Sequence, residues 1–211
     1  MKKDKFNNFS VPLGLLDYIN PIFYGVTIIT IIKNISFELG NPYNAFLVIG
    51  AVISLLFGFI IPTGKVAVGL GIIDFKMPVS LVFCVNAGIL LSGLMILKYV
   101  MSLKLVLLLI IGLIILFLLY LVYIKSKKIN TIAVLTGAFG YLLIYTSLIT
   151  LSIRTNNILS SVCYVFAIIL FIMLCGIGIK ANLKDPKIHW KIEISNVICQ
   201  GLVALGTIIL F

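Results

Sequence analysis

Apolar stretches long enough to cross a bilayer succeed one another along almost the whole chain, separated only by short connections of Lys, Pro, Gly and Asn. A helix needs roughly 20 such residues to traverse about 30 Å of hydrocarbon. The punctuation places seven spans at residues 12–32, 44–61, 77–97, 105–124, 131–153, 158–179 and 191–211. In lipid every backbone N–H and C=O must be satisfied internally, which leaves helices or a closed barrel. The alternation of a barrel strand is absent, so the sequence predicts an all-α integral membrane protein built as a seven-helix bundle. The first span is the exception to a clean crossing: Lys33 comes only twelve positions after Pro21, so a full crossing must include Asp17 and Asn20, and a broken or re-entrant segment is the alternative.

Composition agrees. Hydrophobic residues make up 62% of the 211 and charged residues 10%, whereas soluble domains carry about a quarter charged. The net charge of +10 does not point to nucleic acid, because the basic residues are spread between the spans. Met1 to Lys5 resembles the start of a signal peptide, but Asn7, Asn8, Asp17 and Asn20 interrupt the apolar segment such a peptide needs next, and a retained N-terminus is expected. Cys84, Cys163, Cys175 and Cys199 fall within spans without a C-x-x-C pair and read as small packing residues.

Lys and Arg set orientation, since positive charge stays on the cytoplasmic side during insertion. One side collects Lys2, Lys3, Lys5, Lys65, Lys76, Lys125, Lys127, Lys128, Lys180, Lys184, Lys187 and Lys191; the other has only Lys33, Lys98, Lys104 and Arg154. The N-terminus is therefore expected in the cytoplasm and the C-terminus outside, in a cell membrane. The bias toward Lys, Ile and Asn fits an AT-rich bacterial genome.

An internal echo suggests a plan. Asp74 to Cys84 aligns without gaps to His189 to Cys199, matching Lys76 with Lys191, Ser80 with Ser195, Val82 with Val197 and Cys84 with Cys199, and the same offset brings Lys65 onto Lys180. A two-residue gap then aligns Gly88 with Gly201 and Gly93 with Gly206. The expectation is a parallel repeat: a helix triplet over 12–97, a linker helix over 105–124 and a second triplet over 131–211. That layout resembles the three-plus-one-plus-three plan of the SWEET sugar transporters and the PnuC vitamin-precursor transporters, and the expected cytoplasmic N-terminus is closer to the latter. The Pro-Gln dipeptide of the PQ-loop relatives is missing and Trp190 is the sole tryptophan. The resemblance covers layout and no motif, so it transfers no residue roles.

Ionisable groups inside a span are costly and mark functional candidates. Asp17 is one, with Asn20 on the same helical face beside Pro21. Glu193, Asn196 and Gln200 form a polar stripe on the seventh span, with Asn86 at comparable depth on the third. Tyr141 and Tyr145 place hydroxyls on the fifth span where a solute could hydrogen-bond, with ordinary packing as the alternative. These eight are the candidate path residues. His189 and Asp74, equivalent in the echo, are candidate gating groups. Ser80, Cys84, Gly88 and Ser92 make a small-residue stripe that lets another helix approach closely.

Catalytic signatures are sparse. H-E-x-x-H and G-x-S-x-G are absent, and Thr63 to Gly71 lacks P-loop spacing, so no metal, cofactor or catalytic residue is assigned. The leading expectation is a small-solute transporter or permease, with a path between two three-helix units and a small molecule or ion as cargo, in which Asp17 and Gln200 bind or gate. Two alternatives stay open: a non-catalytic membrane subunit, sensor or immunity-type protein working through a homo-oligomer or membrane partner, and a membrane-embedded enzyme.

Overall fold

The computed structural model describes residues 10–73, 78–126, 129–180 and 186–211. Among these residues eight helices occur in chain order: α1 (Val11–Asp17), α2 (Ile19–Leu39), α3 (Tyr43–Gly69), α4 (Val79–Met101), α5 (Leu105–Ser126), α6 (Ile129–Arg154), α7 (Ile158–Lys180) and α8 (Pro186–Leu210). Six stretches are long and apolar enough to cross a membrane, with α1 and α2 counting together as one. The apolar run described in α5, Ile110–Val122, is shorter. Side chains such as Val52, Leu56, Phe117 and Phe166 are exposed along these helices. Apolar surface on that scale needs lipid to cover it, and the chain is a helical multi-pass membrane protein.

The first span is broken rather than straight. Pro21 has no N–H to give the carbonyl of Asp17, and the helix is interrupted at Tyr18, whose own N–H reaches Leu15 O at 3.2 Å. The helices also run past the apolar windows read from the sequence. α2 continues through Lys33, Asn34 and Glu38, and α3 continues through Pro62 and Lys65 to Gly69, because backbone hydrogen bonding propagates beyond the point where side-chain hydropathy drops. Gly40 closes α2 at φ +70°, a left-handed conformation that glycine adopts without a steric cost. It permits the three-residue connection to α3.

Six helices form a closed ring in which each packs on the next, in the order α2, α3, α4, α6, α7, α8 and back to α2. α1 lies against α3 and α8, and α5 sits outside, mainly on α6. α5 is apolar on every side, which suits that position. It buries Leu108, Ile115 and Leu119 and exposes Leu107, Ile114 and Leu121.

α4 is gripped between α3 and α6 by small residues. A Cβ on Gly88 would lie 2.6 Å from Gly50 O, and one on Gly140 would lie 2.6 Å from Leu90 N. Of the small-residue stripe, Gly88 and Ser92 are buried in this contact, while Ser80 is exposed. The glycines paired by the echo do not make equivalent contacts. Gly88 meets α3 but Gly201 meets Phe23 of α2, and Gly93 meets α6 but Gly206 meets Cys163 and Tyr164 of α7.

The ring is not uniform along its axis. Near the face where α3 ends and α8 begins, polar residues line its interior. Farther along, Ile28, Ile31, Leu47, Ile96 and Leu148 are essentially inaccessible and form a continuous apolar core.

Candidate functional site: an ion network over an axial cavity

Three ionisable side chains from three separate parts of the chain meet at the polar end. Lys65 Nζ on α3 lies 2.7 Å from Asp17 Oδ2 at the end of α1 and 3.0 Å from Glu193 Oε1 on α8. Each of the paired side chains is only 12% exposed. Asn20, one turn beyond Asp17, donates from Nδ2 to both carboxylates, at 3.2 Å to Asp17 Oδ1 and 3.3 Å to Glu193 Oε2. Serving two acceptors fixes which way its amide points. The amide oxygen is buried and has no donor among the described residues.

The break at Tyr18 carries Asp17 inward, and the extension of α3 past Pro62 brings Lys65 across to meet it. Ser54, Gly58, Ile61 and Lys65 recur at helical spacing and share one face. Removing two carboxylates and an ammonium from water is expensive, and only close pairing with filled hydrogen bonds offsets it. Asn20 supplies part of that. With all three groups ionised, the network keeps one negative charge in excess.

Directly beneath lies a cavity of about 140 Å³ on the ring axis. Asp17, Asn20 and Tyr24 contribute from the first span, Ser54 and Gly58 from α3, Tyr141 from α6 and Asn196 from α8. Tyr24 and Tyr141 meet edge to face with centroids 6.4 Å apart. The Tyr24 hydroxyl donates to Ser92 Oγ at 3.4 Å and Ser54 Oγ at 3.5 Å, tying the floor of the cavity to the α3–α4 contact.

Of the residues singled out from sequence, Asp17, Asn20, Tyr141 and Asn196 line this one cavity, and Glu193 belongs to the network above it. Gln200, one turn deeper on α8, donates to the Tyr145 hydroxyl at 3.3 Å. Tyr145 also pairs with Cys199 Sγ at 3.7 Å and packs on Phe171. The polar stripe on α8 thus faces the interior throughout, but its lower end is occupied by protein partners. Asn86 is placed elsewhere: it gives its amide to Ala133 O on α6 at 2.7 Å and packs on Gly137, joining two helices. His189 stands one turn before Glu193 and is half-buried. Asp74 lies outside the described residues.

Lys65 is the member that sequence reasoning misses. Hydropathy ends the second span at residue 61 and leaves Lys65 among the lysines that mark the cytoplasmic side, whereas the helix carries it onto the wall of the ring. Its spacing from Ser54, Gly58 and Ile61 is the available signal.

Among the described residues no group of three or more His, Cys, Asp or Glu could hold a metal ion. Comparison of the chain with protein-family models, curated proteins and solved structures finds no match.

Proposed function

We propose that this chain is a small-solute transporter or permease whose path follows the axis of the helix ring. The observation that carries the reading is the cavity: a pocket inside an apolar bundle, walled by polar side chains from four spans and capped by buried ions. Intramembrane charge that faces a cavity rather than lipid is the usual mark of a substrate or ion pathway. The ring order supports a path between two three-helix units, α2–α4 and α6–α8, since each unit is consecutive in the ring and α5 stands outside as a linker. Parallel units around an axis along the membrane normal are a recurrent transporter plan, with the site near the unit interface.

On this reading the solute occupies the cavity, the Asp17–Lys65–Glu193 network closes it toward one face, and the apolar core around Ile31 and Leu148 closes it toward the other. Passage requires the two closures to open in turn. The lysine tally favours the cytoplasmic side for the network.

The test is accumulation by proteoliposomes exposed to a small-molecule cell extract, washed and read by mass spectrometry. At least one solute becomes enriched over protein-free liposomes, and combined Asp17→Leu and Gln200→Leu replacement abolishes the enrichment. Absence of any enrichment, or enrichment unchanged by the double replacement, contradicts the proposal.

A further inference from the structure

We propose that the cavity takes a small organic monocation, a primary amine whose ammonium joins the carboxylates of Asp17 and Glu193 beside Lys65. The inference rests on the transport reading for its biological meaning, but it stands on the chemistry of the walls.

Several acceptors around the cavity lack a donor, beside the amide of Asn196 and the hydroxyl of Tyr141, which can both donate and accept. Asn20, a wall residue, gives its amide N–H groups to the two carboxylates, and its buried oxygen has no donor among the described residues. Pro21 and Pro62 lack N–H, so the carbonyls of Asp17 and Gly58, both wall residues, lose their usual helical donor. The Tyr24 hydroxyl spends its proton on Ser92 and Ser54, which leaves its lone pairs available. An ammonium, with three N–H groups and no acceptor, is a ligand head that answers acceptors of this kind.

Charge points the same way. With both carboxylates ionised, one ammonium faces two of them, and a monocation brings the three groups to neutrality. A charge left unbalanced in a medium of low dielectric is strongly unfavourable, so the site favours cations over neutral solutes and excludes anions. Lys65 already shows how an ammonium sits there.

Size and lining specify the rest of the ligand. A cavity of about 140 Å³ compares with the ~150 Å³ cavity that accommodates benzene, which limits the ligand to roughly six to nine non-hydrogen atoms. The Tyr24 and Tyr141 rings, with Pro21, Ile61 and Ile89, provide an aromatic and apolar wall for its body. Aromatic faces next to a carboxylate suit organic cations in particular.

The experiment compares benzylamine with benzyl alcohol, its neutral isostere, for binding to the purified full-length protein in nanodiscs by calorimetry. The amine binds at least about tenfold more tightly, the lower range for a charge-assisted hydrogen bond. Glu193→Gln lowers amine affinity by about tenfold or more and leaves the alcohol unaffected. Lys65→Met raises amine affinity, and the amine restores thermal stability to that variant. Equal binding of amine and alcohol overturns the proposal, as does displacement of the amine by millimolar sodium or potassium. The comparison of the two ligands on the unmodified protein needs no variant, so a failure of Lys65→Met to fold does not disable the test. Amine binding without accumulation of any solute in proteoliposomes would refute the transport reading alone. Accumulation of other solutes without amine binding would refute the ligand class alone.

Discussion

At the residue scale the network is asymmetric, and its members are not interchangeable under mutation. Asp17→Asn leaves Lys65 paired with Glu193, and Glu193→Gln leaves it paired with Asp17, so each retains a neutral pair. Lys65→Met leaves two carboxylates facing each other across a few ångströms. Removing one partner of a buried pair typically costs about 3–5 kcal/mol. The expected order of thermal stability in detergent is therefore Asp17→Asn and Glu193→Gln close to the parent protein, with Lys65→Met lower by about 3 kcal/mol. Comparable loss in all three variants would mean that the pairing energy, rather than the charge balance, dominates. Asn86→Leu is a separate case. It forfeits the bond to Ala133 O and leaves that carbonyl without this donor, at an expected cost of about 1–3 kcal/mol, with no effect on ligand binding. A shift in amine affinity in this variant would place Asn86 in the site after all.

At the element scale, α4 depends on close backbone approach. Gly88→Val and Gly140→Val each place a side chain where a backbone atom stands 2.6 Å from the Cβ position, and overpacking of this kind costs about 1–3 kcal/mol. Gly112 on α5 has open space around its Cβ position. Gly112→Ala is expected to be neutral or to stabilise by up to about 1 kcal/mol through helix propensity. Unfolding in mixed detergent micelles separates the two outcomes, and equal effects at positions 88 and 112 would contradict the packing described.

This is also the scale at which the sequence is most legible. Each span is visible because about twenty apolar residues in a row have few other fates. The close approach at Gly88 and Ser92 is visible because small residues four apart expose backbone along one face. Helix ends are less legible. Hydropathy falls at Pro62 while the helix continues to Gly69, and that difference hides Lys65. The inward face of α8 can be read because Glu193, Asn196 and Gln200 share a helical face that lipid rejects. The partner each of them meets depends on which helices close the ring, and no local pattern encodes that. Asn86 illustrates the limit: its depth matches the stripe, yet its partner is the backbone of α6.

At the scale of the whole molecule, a closed ring of helices places polar residues from both halves of the chain around one small cavity. The ions above it and the apolar core below make the two ends chemically different, and that difference gives the proposed path a direction. Access to the cavity can be measured without knowing the solute. In a protein with its four native cysteines replaced, Ile61→Cys places a thiol on the cavity wall and Ile31→Cys places one in the apolar core. A membrane-impermeant thiol reagent is then applied to intact cells and to inverted vesicles. The account predicts that Ile61→Cys is labelled only from the face where α3 ends and α8 begins, faster when Glu193→Gln is added, while Ile31→Cys is inert from that face. Labelling of Ile61→Cys from neither face, or equal labelling at both positions, would contradict an axial cavity closed by the ion network.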